Sequence, residues 1–176
     1  AAACHSGDLA FALCYAPGIA STAARIAKAG SIEKWVEQFE KTEKKRSADF
    51  DAINTFAMAA AYSPDPDKPF GVALPFDVED GEILPDVWRA WKRNDPVEMV
   101  RRREHAEALR GLRLLFLDCG GDDEYQLHLG LRLFRRRCEE AGVAYEAEEF
   151  PDDHRSISYR YDVSVPKLLA ALDRAG

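Results

Sequence analysis

Toward the C-terminus, the spacing of apolar residues alternates between two periods. From Leu112 to Asp118 they are nearly continuous (Leu112, Leu114, Leu115, Phe116, Leu117), and from Val143 to Phe150 a second short run carries Val143, Tyr145 and Phe150. Runs of this length predict buried strands. Between them Leu127, Leu131, Phe134, Cys138 and Ala141 recur at helical steps, while Arg135, Arg136, Arg137, Glu139 and Glu140 cover much of the rest of the turn. That spacing predicts one amphipathic helix, which Gly142 ends with a left-handed residue. Gly130 inside it costs about 1 kcal/mol relative to alanine, a cost that close packing on a sheet would explain.

Elsewhere the period is mostly helical. Ile32, Trp35, Val36 and Phe39 share a face behind Ser31 as N-cap, and Phe50, Ile53 and Ala57 continue the theme. The charged stretch from Glu40 to Arg46 reads as solvated helix surface. Three prolines between Ser63 and Pro69 require a stiff connector. Asp95-Pro96-Val97-Glu98 has the form of a capped helix start, with Arg101-Arg102-Arg103 as exposed surface on that helix. Leu168, Leu169 and Leu172 after Pro166 mark a final helix expected to pack on the sheet. Ala1 to His5 and Phe70 to Leu74 are the remaining candidate strands. The expected organisation is one α/β domain over 1–176, with a mostly helical insertion over about 9–110 and a strand–helix–strand–helix unit over 111–176.

Such a unit places its strands in parallel, so the loops after both strands emerge at one carboxyl edge, where open α/β sheets bind ligands. Those loops are Gly120-Gly121-Asp122-Asp123-Glu124-Tyr125 and Pro151-Asp152-Asp153-His154. A histidine can take and return a proton near neutrality, and a carboxylate can hold its tautomer and stabilise the imidazolium. Acid before histidine, each after a strand, is the order of α/β hydrolases. From spacing alone either Asp122 or Asp123 could be the acid.

Longer stretches carry a resemblance. Leu114 to Gly130, which contains Cys119-Gly120-Gly121-Asp122-Asp123-Glu124-Tyr125, resembles the acid-bearing segment of the esterase D and enterochelin esterase-like α/β hydrolases. Glu148-Glu149-Phe150, His154 and Tyr159 to Pro166 are similar to that family's histidine loop and closing helix. His5-Ser6-Gly7-Asp8, Met58 to Pro64, Leu74 to Asp77 and Trp91 with Asp95-Pro96 also fit. The resemblance implies a catalytic Asp123 and His154, with Ser6, Gly7 and Asp8 lining the substrate pocket. It makes Ala1 to His5 the strand that follows the nucleophile elbow and its helix. A helical insertion over the carboxyl edge would act as a cap that closes the pocket. Phe11, Tyr15, Phe56, Phe76 and Trp88 are then candidate lining residues, although aromatics at such spacing also build plain core.

No Gly-x-Ser-x-Gly elbow occurs in these 176 residues. Ser6 lacks the first glycine of that pattern and a helix-starting apolar pattern behind it. The chain is therefore expected to be the C-terminal portion of a serine esterase acting on a small-molecule carboxylic ester or thioester, and inactive in isolation. The competing expectation is a non-catalytic α/β binding module.

Composition narrows the partners. With 47% hydrophobic and 31% charged residues and a net charge of -7, the chain has the balance of a soluble globular protein and is unsuited to nucleic acid or an anionic membrane surface. No apolar run approaches the ~20 residues of a membrane span, and no signal-peptide pattern is visible, so a cytoplasmic location is expected. Cys4, Cys14, Cys119 and Cys138 lack paired spacing and read as buried thiols. No cofactor is expected. Neither Asp122, Asp123, Glu124 and His128 nor Asp152, Asp153 and His154 match a metal motif. His5, His105 and His128 have no motif beside them, Arg160 and Asp162 are expected to pair or cap, and oligomeric state is left open.

Overall fold

A computed structural model describes residues 1–173 as a mixed α/β chain. The chain divides into two compact units: Ala1–Cys14 with the chain from Asp95 onward, and Tyr15–Asn94.

The first unit is built on a parallel sheet of β1 (Ala2–His5), β2 (Leu115–Gly120) and β3 (Glu146–Phe150), in the order β1-β2-β3. β2 is buried at every position, as a central parallel strand covered on both faces must be. Its alternation sorts the two faces. Leu115, Leu117 and Cys119 enter an apolar core with Leu127, Leu131, Phe134 and Cys138 of α8 (Leu127–Glu140). Phe116 and Asp118 face Arg160, Lys167 and the closing helix α9 (Tyr161–Asp173). Gly142 takes φ +64 just past α8, the left-handed stop expected there. Gly130 does permit a close approach, but to the chain rather than to a sheet: a Cβ on it would lie 3.4 Å from the amide nitrogen of Ala10, beside α1 (Phe11–Cys14).

The second unit carries α2 (Ile19–Ala29), α3 (Ile32–Lys41), α4 (Ser47–Tyr62) and α5 (Pro85–Lys92). Ser31 caps α3, its hydroxyl accepting from the Lys34 amide at 3.2 Å. Trp35 stacks on Phe56 with ring centroids 5.3 Å apart. Ser63, at the end of α4, accepts from the Trp91 indole at 2.8 Å and donates to the Ala73 carbonyl at 2.7 Å, which anchors the proline-rich connector.

Several expectations need correction. Phe70 to Leu74 is not a strand: Pro69–Gly71 forms a 3₁₀ turn with Phe70 at φ +57, and only Val72 bridges, to Pro64. The buried face of α4 is Ala52, Phe56 and Ala59, so Phe50 and Ala57 face outward. α6 (Pro96–Met99) ends before the three arginines, and Asp95 starts it with its backbone carbonyl rather than a side-chain cap; Arg103 opens a separate helix, α7 (Arg103–Arg110). α9 begins at Tyr161 with Pro166 inside it, and buries Ser164 and Ala171 while Leu169 and Leu172 stay exposed. Phe11, Phe56 and Phe76 are buried core. Among the described residues no helix is long and apolar enough to cross a membrane.

Candidate active site

Asp123 sits in the turn between β2 and α8, fully buried, while Asp122 is exposed. The local backbone explains the choice. The Asp123 amide donates to the Gly120 carbonyl at 3.3 Å, closing the turn inward. Its Oδ1 accepts the amides of Tyr125 at 2.9 Å and Leu127 at 3.3 Å, at the N-terminus of α8, where free N–H groups and the helix dipole favour an anion. Gln126, at φ +62, turns the chain into that helix.

His154 reaches this carboxylate from the loop after β3, with Nδ1 2.9 Å from Asp123 Oδ2. A carboxylate only accepts, so Nδ1–H donates and Nε2 keeps the lone pair. The imidazole is 36% exposed, against 0% for its acid, and Nε2 takes no hydrogen bond from the described residues. The imidazole thus presents its free nitrogen to solvent while its carboxylate partner is sealed.

Two further devices hold the ring. Tyr125 meets the imidazole edge-on at 5.0 Å, and the Glu124 carboxylate accepts the His154 amide at 3.1 Å and Arg155 Nε at 3.0 Å. Its own backbone amide, then the His154 amide and the Arg155 guanidinium, hold the Glu124 carboxyl below the usual range. Arg155 therefore folds back onto Glu124. The histidine loop also crosses directly over β2: Gly121 donates to the Phe150 carbonyl at 2.8 Å and Asp122 to that of Asp152 at 3.1 Å. A Cβ on Gly120 would lie 2.3 Å from the Asp152 carbonyl oxygen, so only glycine fits this crossing.

Of the expected pocket residues, Ser6 is the one tied to the acid. It is buried at φ +45, its hydroxyl donates to Cys119 Sγ at 3.6 Å, and Cys119 Sγ lies 3.7 Å from Asp123 Oδ2. The hydroxyl is thus committed to a buried sulfur. Gly7 packs against Cys4, and Asp8 is exposed. Burial pushes the Cys119 thiol up to about 12, which disfavours the reactive thiolate near neutrality.

A second aspartate–histidine pair, invisible in the spacing, lies under α9. His5 Nδ1 is 2.6 Å from Asp118 Oδ1, and its Nε2 is 2.9 Å from Ser164 Oγ. The order serine–histidine–aspartate imitates a triad, yet Ser164 is 1% exposed. Asp118 Oδ2 meanwhile accepts Arg160 Nε at 2.8 Å, and Arg160 also pairs with Glu148. The expected Arg160–Asp162 pairing is replaced by these two partners, because Arg160 lies buried against the sheet. The signals missed were a histidine ending one strand and an aspartate inside an apolar run, which the parallel register places opposite each other.

Among the described residues no group of three histidine, cysteine or acidic side chains is arranged to hold a metal ion. Compared with protein-family models and with curated proteins, the chain matches none.

Proposed function

We propose that Asp123 and His154 are the proton-handling pair of a serine esterase of the α/β-hydrolase type, acting on carboxylic esters or thioesters. The observation that carries this reading is the hydrogen bond from His154 to a buried Asp123, with the opposite ring nitrogen open at the carboxyl edge of a parallel sheet. In the proposed step the serine hydroxyl attacks the substrate carbonyl and passes its proton to His154 Nε2. Collapse of the tetrahedral intermediate returns that proton to the departing alcohol or thiol. Water then repeats the sequence on the acyl-enzyme, with Asp123 holding the ring and balancing the imidazolium charge.

The nucleophile is assigned to a segment that pairs with the outer edge of β1. Two features support that placement. Among the described residues no strand pairs with that edge, and a sheet edge is a ready template for another strand. One flank of α9 is also apolar and exposed along Tyr161, Val165, Leu169 and Leu172. Lys167, on its other flank, reaches Glu146 of β3, whereas Tyr161 touches His5 of β1, which sets the apolar flank toward the β1 side. A parallel strand there would lie about 4.8 Å from β1 and end on the edge that carries His154.

The test is to extend the coding sequence upstream of Ala1, express the longer protein and treat it with a fluorophosphonate probe. Labelling of the longer protein, absent from the 176-residue chain and abolished by His154→Ala, is expected. An upstream reading frame without a Gly-x-Ser-x-Gly elbow, or labelling indifferent to His154→Ala, would overturn the esterase reading and leave a binding module.

A further inference from the structure

In the helical unit, α2, α3 and the start of α4 enclose a hollow of about 270 Å³ whose charge runs against that of the chain. The protein carries a net charge of -7, yet Arg25, Lys28 and Lys45 line this hollow against one acid, Asp49. Asp49 is already engaged: it accepts Arg25 at 2.7 Å and the Arg46 amide at 2.8 Å. Two ammonium groups remain without a carboxylate. Lys28 forms no ion pair among the described residues, and Lys45 Nζ donates to the Thr42 carbonyl at 2.7 Å while sitting 4.8 Å over the Phe39 ring. The floor is aromatic and fixed. Trp35 is buried, stacks on Phe39 at 5.5 Å, and lies almost parallel to Phe56 at 5.3 Å.

We propose that this hollow binds small anions carrying an apolar body, the anionic head on Lys28 and Lys45 and the body against Phe39 and Trp35. Neither half suffices alone. An exposed ion pair is worth little against water and salt, and an apolar wall of this size selects no head group. Together they select an amphipathic anion over its neutral or cationic analogue. The volume lies at the lower end of ligand pockets, which suits a short chain rather than a long one.

The test is calorimetric titration of the whole chain with decanoate below its micellar concentration, beside decanol, decyltrimethylammonium and inorganic phosphate. One saturable decanoate site is expected, about tenfold or more tighter than the other three. Lys28→Met with Lys45→Met should weaken decanoate about tenfold and leave decanol unchanged. Lys28→Gln alone, at an exposed helix position, should shift decanoate binding in the same direction by a smaller factor and guards against misfolding of the pair. Equal binding of the cationic amphiphile, unchanged decanoate affinity in both variants, or no saturable site would overturn the proposal.

Discussion

Two aspartate–histidine pairs lie on the same small sheet, and they differ in what surrounds the acid and what faces the free nitrogen. Among the described residues Asp123 receives amides and a thiol besides His154 and no cationic side chain, so its charge remains available to an imidazolium. Asp118 is shared with Arg160, so much of its charge is already balanced before His5 is considered. The outer nitrogens differ in the same sense. His154 Nε2 faces solvent from a ring 36% exposed, whereas His5, at 15%, has its Nε2 occupied by the buried Ser164 hydroxyl. The serine–histidine–aspartate chain under α9 thus has the order of a triad without its openness. An acid free to respond and a base open to substrate are also needed.

The contrast would break most visibly in turnover. In the upstream-extended protein, Asp123→Asn should lower kcat for a p-nitrophenyl ester by roughly 10⁴-fold, because the amide reverses the tautomer. Ser164→Ala should leave kcat within a few-fold, and comparable losses in the two variants would erase the distinction. Stability should show the reverse ranking. Arg160→Met leaves the buried Asp118 with His5 as its remaining ionisable partner and should cost up to about 3–5 kcal/mol in urea unfolding. Gly120→Ala should cost about 1–3 kcal/mol by pushing the Asp152–Asp153 backbone off β2, and a shifted His154 imidazole resonance would report the displaced loop. Ser164→Ala should cost about 1 kcal/mol, the net value of one hydrogen bond.

The buried thiols give the fold a pH dependence of its own. Burial raises all four cysteines, Cys14 and Cys119 to about 12 and Cys138 to about 11. A folded thiol held above its unfolded value of about 9 contributes stability that is complete below pH 9. That contribution is lost as pH rises from about 9 through 11 to 12, because only the unfolded chain ionises there. Unfolding midpoints should fall across that window, and native thiols should react slowly with a disulfide reagent at about pH 8. Rapid modification of Cys119 would instead show that the packing around Asp123 opens in solution. The smallest effect is expected at the surface: Arg155→Ala removes an exposed pair with Glu124 and should change stability by about 0–1 kcal/mol.

Much of this was legible because short-range rules decided it. The apolar run before Asp118, the helical steps from Leu127 to Cys138 and the glycine at 142 each depend on a few neighbouring residues, and β2, α8 and the left-handed turn follow them. The same local logic failed where burial chooses among several apolar faces. Leu169, Leu172 and Phe50 have helical spacing, yet packing buried Ala171, Ser164, Ala52 and Phe56 instead. In β1, the family resemblance suggested a strand but nothing in the sequence signalled that His5 would meet Asp118, since parallel register is set between segments far apart in the chain.

The parallel strand–helix–strand unit and the two loops that carry an acid and a histidine follow from local sequence, because turn chemistry and hydrophobic period act over a few residues. Packing adds why Asp123, which the family resemblance already favoured over Asp122, turns inward, and that His5 also pairs with an aspartate while its outer nitrogen is occupied. Both outcomes depend on which groups lose water when distant segments close on each other. That loss is a property of packing, and no local pattern encodes it.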